Sequence, residues 1–223
     1  MKNIVITSAG RRVELVNAFK DELKVRSSAA KVIAIDVDPG LASACHVADQ
    51  AAECPRADSG IYSNYLLDFC LTNNIGVVVP TIDTELIPLS NARIEFQDRG
   101  VDIVVSEPSF VQACRDKRLS QNIFEEVDIP YPEIMDVNNL RFPCFSKPYS
   151  GSSSVGAIKL ESKADATKAI LEDQSLMFME YIPPSYDEYT VDCYFDRVGE
   201  LKCLVPRKRI EVRAGEVSKG VTK

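Results

Sequence analysis

Residues 2–19, KNIVITSAGRRVELVNAF, read as a strand, a tight turn and an amphipathic helix. The first six of them are rich in β-branched side chains, which favour an extended strand. Ser8 to Gly10 form a turn, and Leu15 and Phe19 then recur at helical spacing. The stretch therefore predicts a strand, loop and helix unit whose turn lies at the carboxyl end of the strand.

The same alternation continues along the first half of the chain. Three further apolar runs are separated by segments in which apolar residues recur every three or four positions. Continuous apolar strands are typical of parallel sheets that helices cover on both faces. Residues 1–110 are therefore predicted to form an α/β domain of Rossmann-like type with a parallel sheet. The runs occupy residues 31–37, 75–80 and 101–105, and the helical segments residues 62–73 and 83–99.

The pattern changes after residue 110. A helix opens at residues 115–117, and short strands then follow one another with few helices between them. Neighbouring strands with short connections pair antiparallel. Residues 111–223 are therefore predicted to form a second, α+β domain with a mostly antiparallel sheet. Its strands are expected at residues 142–147, 155–160, 176–182, 188–196 and 201–205, with a helix at 162–172.

Composition and charge limit the function classes. The chain of 223 residues is 45% apolar and 26% charged, which is typical of a folded globular protein. Its net charge of −7 argues against general nucleic-acid binding, since that function needs a basic surface. No apolar run approaches the roughly 20 residues that cross a bilayer, and residues 1–7 are too short for a signal peptide. We expect a cytoplasmic protein that binds neither membranes nor nucleic acids.

Metal and nucleophile chemistry have little support in the sequence. The seven cysteines contain no CxxC pair, and the chain has a single histidine, His46. Zinc ribbons and thioredoxin-like centres need closely spaced cysteine pairs, and a Ser-His relay needs a histidine beside a nucleophile, so the sequence gives these sites little support. The cysteines are interpreted as small core residues in a reducing compartment, and no metal ligands are predicted.

The first strand-to-helix turn, TSAGRR, raises the question of a dinucleotide cofactor. Gly10 and Asp36, which ends the second strand, occupy positions where Rossmann proteins bind one. The turn has one glycine, however, whereas a pyrophosphate needs close backbone approach at several positions. Arg11 and Arg12 suit a carboxylate or phosphate of a substrate, unless they only face solvent. Asp83, which follows a buried strand, is either a further substrate ligand or a helix cap.

A lysine and a small-residue loop follow the strand at 142–147. Lys147 ends that strand, and a loop of glycines and serines comes after it. A flexible loop rich in N–H and O–H groups beside a cation can fold over a polyphosphate. The arrangement differs from GxxxxGK[ST], because the lysine precedes the loop and no helix starts at it. A mobile hairpin tip is the alternative. The loop residues are Gly151, Ser152, Ser153, Ser154 and Gly156.

Two glutamates come next in the chain. Glu180 ends the apolar stretch MFMEYIP, and the backbone groups of Tyr181 and Ile182 beside it suit the edge of a purine. Glu188, in DEYTVD, is placed to accept both hydroxyls of a ribose. Taken alone, each is also compatible with an ordinary exposed glutamate.

The order of these features is more specific than any one of them. Lys117, Lys147 with its loop, the segment 179–182 and Glu188 follow a Rossmann-like domain in this sequence. The order resembles the ATP-grasp superfamily, most closely the large subunit of carbamoyl-phosphate synthase and related ATP-dependent carboxylate-amine ligases. The resemblance covers essentially the whole chain. It implies that the first domain is a pre-ATP-grasp domain and the second the N-terminal part of an α+β ATP-grasp domain.

The resemblance also implies an activity and a set of roles. In this superfamily ATP phosphorylates a carboxylate, and an amine or ammonia attacks the acylphosphate, with positive charge neutralising the transferred group. The chain is therefore expected to be a ligase with ATP as cofactor and a small carboxylate and amine as substrates. The resemblance assigns Lys117, Lys147 and residues 151–156 to the phosphates, Glu180, Tyr181 and Ile182 to adenine, and Glu188 to ribose.

The basic segment at residues 207–213 falls where these enzymes bring arginines toward the acylphosphate. Arg209 and Arg213 are the expected catalytic residues. Side chains alternate between the faces of a strand, and these two share a face with Arg207. A charged edge strand is the alternative interpretation of the same residues.

The magnesium ligands of the superfamily are the largest departure. The family places an acidic residue and a Glu-x-Asn pair on later strands, and nothing in the sequence matches them. We expect Mg²⁺ as a cofactor whose ligands lie beyond residue 223, in a fragment, a truncated product or half of a split enzyme. A non-catalytic nucleotide- or metabolite-binding module and a Rossmann oxidoreductase stay open as alternatives. A homodimer through the first domain is a further expectation.

Overall fold

The computed structural model divides the chain into two compact units. Unit 1 comprises Met1–Gln112, and unit 2 comprises Ala113–Lys223. Two of the predicted loop residues, Ser152 and Ser153, lie outside the part that the structure describes. The described residues are 2–26, 29–151, 154–213 and 216–222.

A five-stranded parallel sheet forms the centre of unit 1. Its strands are β1 (Asn3–Ile6), β2 (Val32–Asp36), β3 (Gln50–Glu53), β4 (Ile75–Val79) and β5 (Asp102–Ile103). Their order is β3-β2-β1-β4-β5, so β1 pairs with β2 on one side and with β4 on the other. In open parallel sheets a ligand crevice forms at the carboxyl ends of the strands where the order reverses in this way.

Helices cover both faces of this sheet. They are α1 (Val13–Arg26), α2 (Ser43–Val47), α3 (Tyr62–Thr72) and α4 (Asp83–Asp98), with α5 (Pro108–Arg115) at the junction of the two units. Val32 and Ala34 of β2 pack in the cluster that contains residues of α1 and α2. Ile33 and Ile35 pack in the cluster that contains residues of α3 and α4. The alternation of these neighbours explains why the strand sequence is continuously apolar.

Unit 2 is built from antiparallel strands. Its described elements are α6 (Lys117–Glu126), β6 (Ile134–Met135), β7 (Cys144–Pro148), β8 (Ile158–Leu160), α7 (Lys168–Glu172), β9 (Leu176–Glu180), β10 (Tyr189–Phe195), β11 (Leu201–Arg213) and β12 (Glu216–Thr222). One sheet has the order β6-β9-β7-β8, and the other has the order β10-β11-β12. The four-stranded sheet covers a small core around Cys144, Leu160 and Phe178.

The predicted fold class is confirmed, since a Rossmann-like parallel sheet precedes mostly antiparallel strands. One helix is shorter than predicted. The helix expected at residues 162–172 begins at Lys168, because Asp165 accepts the backbone N–H groups of Glu161 (3.0 Å) and Ser162 (2.8 Å). These bonds close a turn in place of the first helical turns.

The basic segment also differs from one expectation. Residues 207–213 belong to β11, which lies between β10 and β12. The interpretation as an edge strand is therefore wrong. The third strand was not predicted, because residues 216–222 carry few apolar side chains and pair through their backbone.

Candidate functional site

Lys117 and Lys147 belong to one neighbourhood of unit 2, because Lys117 is bonded to residues that directly follow β7. Lys117 begins α6, and its Nζ donates to the carbonyl oxygens of Gly151 (2.9 Å) and Tyr149 (3.5 Å). Lys147 is half-buried near the end of β7. Burial and then the charge of Lys117 lower the pKa of Lys147 from its ordinary value of 10.5. Two lysines beside one loop favour an anion, such as a phosphate, next to them.

Glycines shape the loop that follows β7. Gly151 has a φ of +117° and Gly156 a φ of +74°, a region that other residues rarely adopt. A Cβ at Gly156 would lie 3.2 Å from Cγ of Pro148. The far end of the loop therefore approaches the end of β7 closely, and a larger residue there would push it away.

Strand alternation groups several side chains with Lys147. In the pairing of β7 with β9, Lys147 lies opposite Met177 and Phe145 opposite Met179, while β8 places Lys159 opposite Phe145. These side chains share one face of the sheet. Apolar and thioether groups beside a cation suit a flat aromatic ring next to an anion. Phe145 and Met177 were not among the predicted site residues. Period-two spacing from Lys147 points to Phe145, whereas only the register of β9 against β7 places Met177 there.

The residues predicted to hold adenine do not all lie on the face of the sheet that carries Lys147, because side chains alternate between the two faces of β9. Tyr181 follows β9, and the ammonium of Lys159 lies 4.1 Å from its ring centroid. Glu180 is exposed, and its register puts it on the face opposite to the two lysines of the sheet. Its backbone N–H donates to the carbonyl of Glu133 (2.8 Å). Ile182 is exposed after the end of the strand.

Glu188 takes part in an ion-pair ladder on the three-stranded sheet. Nη1 of Arg209 lies 2.8 Å from Oε1 of Glu188, and the backbone N–H of Arg209 donates to the carbonyl of Glu188 (2.8 Å). Arg207 donates to both carboxylate oxygens of Asp192 (2.5 and 3.1 Å). The structure thus brings together a residue predicted to hold ribose and a residue predicted to be catalytic.

Arg213 stands apart from this ladder. Its Nε lies 2.6 Å from Oε1 of Glu211, and its side chain is exposed. The register between β11 and β12 shifts at Glu211 and shifts back at Val212. Because β11 is irregular between these residues, counting alternate positions from Arg209 is not enough to place Arg213 on the same face of the strand.

Unit 1 contains a buried polar network at the carboxyl edge of its sheet. Glu85, in the first turn of α4, is fully buried. It accepts hydrogen bonds from Oγ of Ser8 (2.8 Å), from the backbone N–H of Thr81 (3.1 Å) and from the hydroxyl of Tyr62. Burial and then the charge of Glu85 raise the pKa of Tyr62, so that the hydroxyl stays protonated. The burial of Glu85 could not be predicted from the sequence, because it depends on Ser8 and Tyr62, which are distant in the chain.

Asp36 has a structural contact where a dinucleotide site would use a ribose ligand. Its Oδ2 accepts the backbone N–H of Gly10 (2.9 Å), and its Oδ1 accepts that of Asp38 (3.4 Å). Gly10 has a φ of +49°, so this bond supports a turn that favours glycine. Asp36 therefore serves the loop between β1 and α1.

The substrate-binding predictions of unit 1 lie in loops and a helix start near the same edge. Arg11 is exposed and Arg12 partly exposed, both in the loop between β1 and α1. Asp83 is the exposed first residue of α4. The N-cap position is Ile82, so Asp83 is not the helix cap. Glu85 instead accepts the backbone N–H of Thr81, which precedes the helix.

The described ranges contain neither a cluster of metal-binding side chains nor a helix that could span a membrane. No three or more His, Cys, Asp and Glu side chains in the described part of the chain are grouped so that they could hold a metal ion. No helix among the described residues is long and apolar enough to cross a bilayer.

Comparison with known proteins gives a family match for part of unit 1 and a fold match for most of the chain. Residues 4–104 match the family model described as the PylC-like N-terminal domain. No curated protein matches the chain in sequence. The similarity of the whole chain to known proteins therefore rests on solved structures.

Three solved structures illustrate this similarity. An L-amino acid ligase from Bacillus licheniformis is 11% identical with a TM-score of 0.68, over 94% of this chain and 50% of the ligase. The N5-carboxyaminoimidazole synthetase from Staphylococcus aureus is 13% identical with a TM-score of 0.68, over 98% of this chain and 57% of the synthetase. The biotin carboxylase domain of the Hydrogenobacter thermophilus 2-oxoglutarate carboxylase, in complex with MgADP, ADP and bicarbonate, is 14% identical with a TM-score of 0.70, over 97% and 52%.

At these identities the similarity establishes the fold. The chain spans about half the length of these three proteins. The resemblance to the ATP-grasp superfamily is confirmed at this level. Unit 1 matches a PylC-like N-terminal domain, and the chain has the fold of a pre-ATP-grasp domain followed by part of an ATP-grasp domain.

Proposed function

We propose that the chain is the nucleotide-binding part of an ATP-dependent ligase of ATP-grasp type. The position of Lys117 carries this proposal, because its ammonium donates to the carbonyl of Gly151 (2.9 Å) at the start of the glycine loop, and Lys147 lies near the end of the strand that leads into this loop. A solved neighbour with the same fold holds MgADP, which supports a nucleotide as the ligand.

The four-stranded sheet of unit 2 suits such a ligand along one face. The two lysines would neutralise the phosphates, and Lys147 does so with more effect because it is half-buried. Met177 lies opposite Lys147, Met179 lies further along the same strand, and Tyr181 directly follows that strand. The base would therefore pack on thioether and aromatic groups while the phosphates stay at the lysine end.

The proposed reaction is a carboxylate-amine ligation, of which carbamoyl-phosphate synthesis is one form. Bound ATP supplies the phosphoryl group that turns a carboxylate into an acylphosphate. Arg209 and Arg213 are proposed to orient the activated group, and Glu188 to hold ribose. Arg11, Arg12 and Asp83 are proposed to bind the substrate. We assign no Mg²⁺ ligand to the described residues, since no suitable group occurs among them.

A non-catalytic nucleotide-binding module is the second candidate. It is favoured by the lack of a metal-holding group among the described residues. A module would bind ATP without releasing ADP. Substrate-dependent ADP formation therefore separates the two candidates.

Nucleotide binding is tested first by titrating the protein with ATP and Mg²⁺ and measuring the dissociation constant by calorimetry. Lys147→Ala should weaken binding at least tenfold, because it removes a half-buried cation from the phosphates. Lys168→Ala is the matched control, since Lys168 is an exposed lysine of the same unit paired with Glu172. Equal affinities of the two variants, or no binding at millimolar ATP, would contradict the proposal.

Ligase activity is tested by a screen of amino acids and small carboxylates for ADP formation. A compound that raises ADP release in the unmodified chain but not in Lys147→Ala supports the ligase. ATP binding with no ADP release across the screen supports the module instead.

A further inference from the structure

The first turn of α6 is bonded to the start of the glycine loop at three points. The backbone N–H of Lys117 donates to the carbonyl of Tyr149 (2.9 Å). Its ammonium donates to the carbonyls of Gly151 (2.9 Å) and Tyr149 (3.5 Å). The position of Lys117 is thus set by the residues that directly follow β7.

Arg118 adds a side-chain contact to the same junction. Its guanidinium carbon lies 3.6 Å from the ring centroid of Tyr149, which is a cation–π contact. Nε and Nη2 of Arg118 donate to the carboxylate of Asp116 (3.0 and 2.6 Å), which also caps α6 by accepting the backbone N–H of Arg118. Tyr149 is held from its other side, since its own N–H donates to the carbonyl of Ser175 (3.0 Å).

These contacts distinguish Arg118 from the two lysines. The carboxylate of Asp116 largely neutralises the guanidinium, and the hydrogen bond to Arg118 lowers the pKa of Asp116 so that it stays ionised. Arg118 is therefore a poor ligand for a further anion. Its planar group is suited to stacking on a ring while bonding a carboxylate.

Holding Lys117 beside Lys147 opposes their mutual repulsion. A lysine side chain is long and flexible, so without support the ammonium of Lys117 would move away from the second cation. The contacts of Asp116, Arg118 and Tyr149 supply that support. Lys159, on the same sheet face as Lys147, is occupied by Glu161 (2.6 Å) and Tyr181.

We propose that Arg118 and Tyr149 are positioning residues that keep the Lys117 ammonium beside Lys147. A role for the two lysines in binding phosphate rests on the proposed nucleotide site, whereas the position of Lys117 depends only on contacts within the chain. The stacking of Arg118 on Tyr149 acts through Lys117 and touches no phosphate.

The pKa of Lys147, measured by NMR titration of ¹³C-labelled lysine without nucleotide, tests the pairing. Lys117→Met should raise this pKa toward 10.5, because the neighbouring charge is gone. Arg118→Ala and Tyr149→Leu should raise it in the same direction but by less, since they keep the carbonyls that bind Lys117 and remove only the stacking that fixes this segment. Tyr149→Phe keeps the ring on which Arg118 stacks and should leave the pKa unchanged.

An unchanged pKa of Lys147 in Arg118→Ala and Tyr149→Leu would overturn the proposal, as would an unchanged pKa in Lys117→Met. Circular dichroism checks folding, and Arg118→Lys replaces Arg118→Ala if that variant unfolds, with a smaller rise expected. ATP affinity, measured separately, should fall about tenfold in Tyr149→Leu and stay unchanged in Tyr149→Phe. Absence of ATP binding in every variant would remove the nucleotide site and leave the result on Lys147 intact.

Discussion

Unit 1 and unit 2 differ in what stabilises them. In unit 1 the described residues form two apolar clusters with 14 and nine buried members. The described part of unit 2 has one such cluster with three, while large apolar side chains of its three-stranded sheet, among them Val191 and Leu204, are about half exposed. Unit 1 thus depends on buried area, whereas unit 2 depends more on strand pairing and on ion pairs such as that of Arg209 with Glu188.

The two units should differ most in the stability that each loses when a phenylalanine is replaced by alanine. Phe96 of α4 is fully buried, and Phe195 of β10 is 56% exposed. Phe96→Ala should lower the free energy of unfolding by about 3–5 kcal/mol through lost burial and a cavity. Phe195→Ala should cost less than about 1 kcal/mol. Urea unfolding followed by circular dichroism measures both, and similar losses would mean that the two units do not differ in this way.

The buried network of Glu85 should give the next largest effect. Glu85→Ala leaves the Ser8 hydroxyl, the Tyr62 hydroxyl and the Thr81 N–H without this acceptor, so we expect a loss of about 3 kcal/mol. Glu22→Ala is the control, because Glu22 is an exposed glutamate paired with Arg26 on α1. Its expected cost is about 0.5 kcal/mol or less. Urea unfolding that gave equal costs would show that the Glu85 network adds little.

The smallest expected effect is a gain in stability in unit 2. The pKa of Lys147 is lowered by burial and by Lys117, so the unfolded chain holds the proton more tightly than the folded chain. Stability should therefore rise as the pH increases through the range just below 10.5. Lys147→Met should remove this rise and stabilise the protein at pH 7 by about 0.5 kcal/mol.

Lys159 provides a control of opposite sign on the same sheet. Its hydrogen bond to Glu161 raises the pKa of Lys159, so its contribution is present below pH 10.5 and is lost as the pH rises through the raised pKa. Lys159→Met should therefore not stabilise the protein at pH 7. Thermal unfolding across pH 7–11 distinguishes the two lysines. A loss of stability at pH 7 in Lys147→Met would show that the paired cations do not strain the fold.

Much of the fold could be predicted from the sequence. The apolar runs at residues 31–37 and 75–80 predicted buried strands, because only a sheet covered on both faces buries every residue of a strand. The change of pattern near residue 110 predicted the antiparallel strands. The strand at 216–222 and the late start of α7 were missed, since backbone pairing and the turn around Asp165 leave little trace in hydrophobicity.

The candidate site was predicted less completely. The order of Lys117, Lys147 and the glycine loop is visible in the sequence. Met177 joins Lys147 only through the register of β7 with β9, and a shift of one residue would place it on the other face. The exposed position of Glu180 on the opposite face follows from the same register.

Local patterns along the chain were enough to predict the two kinds of sheet and the order of the charged and small residues, because periodicity and turn residues are local properties. Three other features are visible only in the folded chain: Glu85 is buried between Ser8 and Tyr62, Glu188 bonds Arg209, and Arg118 stacks on Tyr149. Each of these contacts joins residues 15 or more positions apart, and its formation depends on strand register and loop closure. Strand register and loop closure cannot be predicted from the residues that adjoin a given position in the sequence.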